Sequence, residues 1–138
     1  MRAYQKGDAN AVAVQEAQVH EAEVYGDELE KIFAYTLCDE NKVYGVFGWQ
    51  FGEEPNTAEC YALVSQFIGT KLLETVRFFN REIPLKMKTY GVEFLYMTVK
   101  KNFYAGKRLA KLLGFSFKGN LVHFFEDEDY QLFERREI

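Results

Sequence analysis

The sequence predicts an α/β domain with one mixed sheet and helices on both of its faces. Segments rich in aromatic and β-branched residues, which favour strands, alternate with segments whose apolar residues recur at helical spacing. The predicted order is β-α-β-β-β-α-β-α-β-β. At 138 residues, of which 48% are hydrophobic, the chain has the size and composition of one packed unit. We therefore expect a single domain over residues 1–138.

The first predicted elements are a strand, a helix and a hairpin. Residues 1–6 indicate a strand, and residues 8–24 indicate a helix for which Asp8 is the candidate N-cap residue. Residues 31–38 and 42–51 are two β-prone segments separated by three polar residues. This pattern is typical of an antiparallel hairpin.

The middle of the chain indicates a strand followed by a helix. A turn at residues 52–56 leads to a strand at 57–64. We expect the helix to run from about residue 69 to residue 81 and to end before Pro84, because proline lacks the N–H group that continues a helix. The residues predicted to face the core are Leu72, Leu73, Val76, Phe79 and Ile83.

A strand–helix–strand unit at residues 93–117 is the clearest local pattern. Residues 93–99 indicate a buried strand, Asn102 is a candidate helix cap, and Gly114 lies where a helix end favours a left-handed residue. If the two strands are parallel, a ligand can bind where the first strand meets the helix N-terminus. Two short strands near residues 120–125 and 130–135 complete the sheet. The helix is predicted to bury Ala105, Leu109, Leu112 and Leu113 and to expose Lys107, Arg108 and Lys111.

Charge is unevenly distributed along the chain. Residues 1–60 contain 12 acidic and 4 basic side chains, whereas residues 61–118 contain 3 acidic and 11 basic ones. The basic block coincides with the two predicted helices of the C-terminal half. Such an asymmetry is typical of a protein with an anionic ligand or partner, and ordinary solvated helix faces are the alternative.

Several classes of function lack support in the sequence. No apolar run is long enough to cross a membrane and no signal peptide is apparent, so we expect a soluble cytoplasmic protein. Cys38 and Cys60 have no metal-ligand spacing and are expected to be free thiols. His20 and His123 lack ligand partners at suitable spacing, and the acidic run at 126–129 lacks the glycine of a calcium loop. No metal site is predicted.

The order of elements and one loop resemble the GNAT N-acetyltransferase superfamily. That family binds acetyl-CoA through a Q/R-x-x-G-x-G/A loop, whose backbone amides hold the pyrophosphate at a helix N-terminus. Residues 66–71 match at Gln66 and Gly69, whereas Lys71 replaces the final small residue. The resemblance implies that Gln66, Gly69 and Thr70 hold the pyrophosphate. Lys71 would either pair with a phosphate or fill the groove, and a simple turn is the alternative interpretation of Gly69.

The resemblance also implies positions for the chemistry. Glu59 stands where the histone-acetyltransferase branch has a carboxylate that acts as general base. Its apolar neighbours favour burial, which would strengthen its basicity, and an exposed polar strand residue is the alternative. Ala110 replaces the tyrosine that protonates the departing CoA thiolate in the family. Tyr104 is a candidate substitute, or else a core aromatic. Asn102 is similar to the asparagine that begins this helix in the family.

Further contacts with acetyl-CoA follow from the same resemblance. The backbone of Leu63 and Val64 would pair with the pantetheine arm as an added strand. Lys107 or Arg108 would accompany Lys71 as a phosphate partner.

A narrower resemblance is to small GNAT-like bacteriophage proteins, some labelled internal virion protein. It rests on the strand–Asn–helix–Gly segment and on Tyr130-Gln131-Leu132-Phe133. It implies a phage-encoded protein that acts in the host cell cytoplasm or is packaged in the virion.

Two functions remain open. One is an acetyl-CoA-dependent N-acetyltransferase that acetylates an unknown amine. The other is a catalytically inactive GNAT-fold protein that serves as a virion component or binds a host or phage protein. Nucleic-acid binding through the basic block is a weaker third candidate.

Overall fold

The computed structural model describes residues 1–12 and 33–137. These residues form a seven-stranded sheet in the order β1-β2-β3-β4-β5-β7-β6, together with three helices. The mixed α/β fold class is therefore confirmed. The elements are β1 (Arg2–Ala3), α1 (Asp8–Ala11), β2 (Phe33–Cys38), β3 (Val43–Phe51), β4 (Thr57–Val64), α2 (Lys71–Tyr90), β5 (Phe94–Lys100), α3 (Tyr104–Leu112), β6 (Ser116–Phe125) and β7 (Glu128–Arg136).

Two compact units make up the chain. The first contains Met1–Phe51 and Cys60–Leu73, and the second contains Gly52–Glu59 and Glu74–Ile138. The expectation of a single domain is not tested by this division and stays a prediction.

The predicted hairpin and the predicted strand–helix–strand unit are both present. β2 and β3 pair antiparallel, with Phe33 opposite Trp49 and Thr36 opposite Val46. β5 and β6 each pair antiparallel with β7, which lies between them. β5 and β6 therefore run in the same direction, as predicted. The strand predicted at residues 130–135 is also present as β7, but its position between β5 and β6 was not predicted.

Asp8 connects three parts of the first unit. Its buried carboxylate accepts hydrogen bonds from the Arg2 guanidinium at 2.7 and 2.9 Å, from the Gln5 N–H at 2.7 Å and from the Thr36 hydroxyl at 2.7 Å. The prediction of Asp8 as N-cap residue is wrong, because Gly7 is the N-cap residue and Asp8 begins the helix. The Arg2 hydrogen bond is the largest cause that lowers the pKa of Asp8, to about 2.

Helix α1 is shorter than the predicted range of residues 8–24. It ends at Ala11, and Val12 has extended backbone and forms a parallel bridge with Val43. Val12 is buried in a cluster with Val46 and Leu63, so apolar burial within the sheet favours the extended conformation there. The remainder of the predicted helix, with His20, lies outside the described residues.

Helix α2 passes through Pro84 and continues to Tyr90, so its predicted end at residue 81 is wrong. An interior proline costs about 3 kcal/mol relative to alanine. Ile83 and Met87 are 5% and 0% exposed on this stretch, and burying each such side chain contributes about 1.5–3 kcal/mol. Burial of the C-terminal half of the helix therefore offsets the proline.

The predicted core stripe of α2 is correct at Val76, Phe79 and Ile83 and wrong at Leu73, which is 56% exposed. Leu72 is half-buried in the first turn. At about 100° per residue, Leu73 lies about a quarter-turn from the centre of the buried face. Thr75 and Met87 lie on that face instead and are buried.

A left-handed glycine ends each of the two longer helices. After α2, Gly91 has φ +67° and the Val92 N–H donates to the Met87 carbonyl at 2.8 Å. After α3, Gly114 has φ +83° and the Phe115 N–H donates to the Ala110 carbonyl at 3.0 Å. Both are Schellman motifs, so the predicted role of Gly114 is confirmed.

Helix α3 differs from its prediction at its N-terminus and on its buried face. Phe103 is the N-cap residue, so the prediction of Asn102 as the cap is wrong. A Cβ atom on Gly106 would lie 2.6 Å from the Phe103 ring, so this glycine leaves room for the buried ring. Leu109 and Leu113 are buried as predicted. Ala105 and Leu112 are exposed, because Phe103 and Ala110 define the buried face instead.

Arg135 of β7 connects to the end of α3 within the second unit. Its Nη1 donates to the Leu113 carbonyl at 2.8 Å and to Asn80 Oδ1 at 3.3 Å. Asn80 Nδ2 in turn donates to the Leu112 carbonyl at 3.0 Å. These contacts satisfy carbonyl groups that a helix C-terminus would otherwise leave without a partner.

β6 lies at one end of the sheet order and is longer than the predicted strand at 120–125. Its pairing with β7 shifts register between Phe117 and Gly119 and again between Leu121 and Phe125. His123, inside the second shift, has φ +50°. The exposed apolar residues of this strand are Phe117, Val122 and Phe124.

Asp8→Asn should lower the free energy of unfolding by about 2 kcal/mol at neutral pH. The folded-state pKa of Asp8, about 2, lies below its ordinary value of 3.8. The carboxylate therefore stabilises the fold above about pH 4, and this contribution is lost as the pH falls towards 2. Urea unfolding of both proteins across this range measures the difference. A difference that stays constant between pH 7 and pH 2 would contradict the assignment.

Gly114→Ala and Gly119→Ala should have opposite effects on stability. Alanine at residue 114 must adopt φ +83° and approach the Arg135 guanidinium at 3.4 Å, which should cost about 1 kcal/mol. Gly119 lies in β6 with open space around it, so alanine there should be neutral or stabilising by about 0.5 kcal/mol. Urea unfolding of the two variants checks both signs. Equal losses at both sites would contradict the C-terminal role of Gly114.

Candidate functional site

The segment between β4 and α2, which we name the 65–70 loop, is held by a buried serine. Ser65 is 1% exposed, and its N–H donates to the Tyr44 carbonyl at 2.8 Å. The Ser65 hydroxyl accepts a hydrogen bond from the Phe67 N–H at 3.0 Å, and its carbonyl accepts one from the Ile68 N–H at 3.2 Å. One side chain and its backbone therefore determine the path of the loop as it leaves the strand.

The loop presents backbone donors at the N-terminus of α2. Within residues 1–12 and 33–137, the N–H groups of Gln66, Gly69 and Thr70 donate no hydrogen bond, and all three residues are exposed. Gly69 has φ +49°. Among the described residues, its chain neighbours aside, a Cβ placed there would have only the Phe67 carbonyl oxygen within 4 Å, at 3.8 Å. Unbonded amides at the start of a 20-residue helix are suited to an anion such as phosphate.

Two lysines pack on aromatic rings beside this loop. The Lys71 ammonium lies 5.1 Å from the centre of the Tyr44 ring, and the Lys42 ammonium lies 5.0 Å from the centre of the Phe67 ring. Both distances are within the range of cation–π interactions. Each lysine adds positive charge next to the exposed N–H groups.

Asp39 is the acidic group of the same cluster. Its carboxylate accepts hydrogen bonds from the Tyr44 hydroxyl at 2.7 Å and from the N–H groups of Asn41 and Lys42, both at 2.8 Å. The Tyr44 hydroxyl is the largest cause that lowers the pKa of Asp39, and the charge of Lys71 contributes. The same bond raises the pKa of Tyr44. Asp39 is thus an ionised turn residue whose oxygens are engaged with the protein.

Glu59 is exposed, as in the alternative interpretation of this position, so the interpretation that its apolar neighbours bury it is wrong. Side chains alternate between the two faces of a strand, and the adjacent Ala58 is the fully buried one. The role of Glu59 as a base stays a prediction. Leu63 and Val64, predicted to pair with pantetheine, are buried at the end of the same strand, just before Ser65.

Tyr104 is 74% exposed, so the alternative that it belongs to the core is wrong. The Lys107 ammonium lies 4.6 Å from the centre of the Tyr104 ring. Arg108, the next residue of the helix, is exposed. Ala110, at the position of the family tyrosine, is fully buried. Asn102 is exposed immediately before the N-cap residue. These residues belong to the second unit, whereas the 65–70 loop belongs to the first.

Sequence reasoning missed Ser65, Lys42 and Tyr44 as parts of the candidate site. A serine directly after an apolar strand is a weak signal for a buried turn residue. Lys42 and Tyr44 belong to the β2–β3 hairpin. No local sequence pattern connects them with residues 65–70.

Other chemical groups are sparse in the described residues. Cys38 and Cys60 are half-buried, and they form no disulfide bond within the described residues. In the part of the chain that the structure describes, no three His, Cys, Asp or Glu side chains form a metal-binding group. None of the helices in residues 1–12 and 33–137 combines the length and apolar character needed to cross a membrane.

Comparison with known proteins identifies the fold. The sequence matches no family model and no curated protein. A GNAT-family acetyltransferase from Bacillus anthracis has a TM-score of 0.71 and 12% identity, over 98% of this chain and 92% of that one. An N-acetyltransferase from Staphylococcus aureus Mu50 has a TM-score of 0.70 and 17% identity, over 98% and 96%. A Bacillus subtilis acetyltransferase in complex with CoA has a TM-score of 0.63 and 15% identity, over 84% of each chain.

At these identities the comparisons establish the fold. The chain has the fold of the GNAT acetyltransferases, as the order of its elements suggested. The neighbours in this fold include N-acetyltransferases, and one of them is a complex with CoA.

Proposed function

We propose that this protein is an acetyl-CoA-dependent N-acetyltransferase that acetylates an amine. The observation that supports this function best is a set of exposed residues, Gln66, Gly69 and Thr70, just before helix α2 in a chain with the GNAT fold. Their N–H groups have no acceptor among the described residues. Backbone amides at a helix N-terminus bind a pyrophosphate without any particular side chain. Lys71 differs from the small residue of the family loop, but this difference does not remove the backbone N–H donors of the loop.

The residues present are compatible with acetyl-CoA. The open space at Gly69 leaves the amides accessible to a phosphate. Lys71 and Lys42 add positive charge. The roles of Lys107 and Arg108 as phosphate partners stay predictions. The backbone of Leu63 and Val64 would pair with the pantetheine arm as an added strand. When bound, acetyl-CoA supplies the acetyl group as a thioester.

The proposed chemistry requires a base and an acid from this chain. Glu59 accepts the proton of the acceptor amine, directly or through one water, so that the neutral amine can attack the acetyl carbonyl. Its exposure allows a solvent-borne amine to reach it. Tyr104, exposed and with Lys107 over its ring, donates a proton to the departing thiolate. A thiolate is a tolerable leaving group, so Tyr104 contributes less than Glu59.

The second candidate function is a binding protein without acetyl transfer. The buried Ala110 favours it, because the position of the family tyrosine holds no proton donor. Its partner would be a phage or host protein if the bacteriophage resemblance holds. Phage origin, packaging in a virion and a cytoplasmic location stay predictions.

Gly69→Glu should abolish acetyl-CoA binding, whereas Gly91→Glu should leave it unchanged. Both glycines have positive φ, and both have open space around the Cβ position, so the two variants should lose similar stability. Only Gly69 lies among the exposed amides, where a carboxylate repels phosphate. Isothermal calorimetry with acetyl-CoA at low and moderate salt measures the affinity, and urea unfolding checks the match in stability.

Two results of this experiment would count against the phosphate loop. One is retained affinity in Gly69→Glu, and the other is equal loss in both variants. A wild-type protein that binds no acetyl-CoA at millimolar concentration would favour the binding-protein function instead.

Glu59→Gln should lower the rate of acetyl transfer by about 100-fold or more and leave the affinity for acetyl-CoA unchanged. The amide keeps the size of the side chain but cannot accept the proton. CoA release with a panel of small amines and peptides measures the rate, and Glu54→Gln, an exposed glutamate in the preceding turn, is the control. An unchanged rate in Glu59→Gln would show that another group, or solvent, takes the proton.

A further inference from the structure

We propose that Phe67 and Lys42 bind the nucleotide end of acetyl-CoA, with the Phe67 ring stacked on the adenine base and the Lys42 ammonium paired with the 3′-phosphate. This inference rests on the proposed function and extends it to residues outside the family loop motif.

Phe67 is an exposed aromatic ring on a fixed backbone. Its side chain is 55% exposed, and its N–H is tied to the hydroxyl of the buried Ser65 at 3.0 Å. The loop therefore fixes the backbone from which the exposed ring projects. A phenylalanine side chain has only two rotatable bonds, so it loses little conformational freedom when a planar ligand stacks on it.

The position of Phe67 in the loop suits the covalent structure of CoA. Phe67 directly follows Gln66 and lies two residues before Gly69. We assign the backbone N–H groups of these two residues to the pyrophosphate. In CoA the adenosine is joined to that pyrophosphate through its 5′ carbon. A base attached so closely to the pyrophosphate is within reach of a ring in the same loop.

Lys42 supplies a charge at the same ring. Its ammonium lies over the ring of Phe67, 5.0 Å from the centre, so the other face of the ring is the one assigned to adenine. Lysine is a point charge that suits a terminal phosphate. The 3′-phosphate is the part of CoA nearest to the base that carries such a charge.

Acidic residues in this turn oppose the assignment and have to be weighed. Asp39 and Glu40 precede Lys42 in the hairpin turn. The oxygens of Asp39 are engaged with three donors, and the charge of Lys71 acts on the same carboxylate. Glu40 is exposed at the surface of the turn, where its charge is screened by solvent. Lys42 is therefore the charge held directly against the Phe67 ring.

Three ligands separate the two contacts by calorimetry. Acetyl-CoA has the base and the 3′-phosphate, acetyl-3′-dephospho-CoA lacks the phosphate, and S-acetyl-4′-phosphopantetheine lacks the whole nucleotide. Phe67→Ala should weaken the first two by about fivefold to 100-fold and leave the third unchanged. Lys42→Gln should weaken only acetyl-CoA. Phe67→Tyr, which keeps the stacking surface, should retain the affinity.

Matched controls come from exposed residues elsewhere on the chain. Phe124→Ala removes an aromatic ring of similar exposure, and Lys111→Gln removes an exposed lysine. Neither should change binding of any ligand. Equal effects of Phe67→Ala on all three ligands, or equal effects of Lys42→Gln on acetyl-CoA and its dephospho form, would overturn the assignment.

A fourth probe, adenosine 3′,5′-bisphosphate, distinguishes failure of this inference from failure of the proposed function. If acetyl-CoA binds and Phe67→Ala binds it as tightly as the wild type, the nucleotide assignment is wrong and the acetyltransferase proposal is unaffected. If acetyl-CoA does not bind but the bisphosphate binds and loses affinity in Phe67→Ala, the nucleotide site stands and the acetyltransferase proposal fails. If neither binds, both are overturned.

Discussion

The candidate site depends on the burial of one small polar side chain, Ser65. A buried hydroxyl needs hydrogen-bond partners, and this one finds its partner in the backbone of the loop that follows. The same residue is anchored to β3 through the Tyr44 carbonyl. Ser65 accepts hydrogen bonds from the N–H groups of Phe67 and Ile68. Within the described residues, the N–H groups of Gln66, Gly69 and Thr70 have no acceptor. The proposed anion site thus depends on how the strand ends as well as on the glycine in the loop.

Features that produce local sequence signals were more predictable than features that depend on tertiary packing. A glycine with suitable apolar neighbours ends a helix, as Gly114 does here. Predicting such a helix end requires no information about distant residues. The end of helix α2 was predicted wrongly because Pro84 lies inside the helix. The burial of Met87 beyond it results from tertiary packing that the sequence does not reveal. Asp8 is a favourable cap by residue type, but its carboxylate binds Arg2 and Thr36, which local reasoning could not pair with it.

The candidate site was predictable to the extent that it follows a motif. Gln66 and Gly69 were predicted from their resemblance to the family loop. Lys42 reaches the loop from the turn between β2 and β3, and no sequence signal connects it with that loop. Glu59 shows that apolar neighbours in the sequence do not predict whether a strand residue is buried. The residues beside Glu59 in the sequence point to the opposite face of the strand. Ala58 is therefore buried, whereas Glu59 is exposed. A site on a sheet is therefore easier to locate by loop motif than by strand composition.

The irregular β6 has a consequence for behaviour at high concentration. A sheet edge with unpaired backbone groups and exposed Phe117, Val122 and Phe124 would be a template for intermolecular strand pairing if it were flat and continuous. Two register shifts and the left-handed His123 interrupt the strand between these side chains. Irregularities of this kind oppose pairing of an edge strand with a neighbouring chain. They would reduce the tendency of this apolar outer strand to aggregate at high protein concentration.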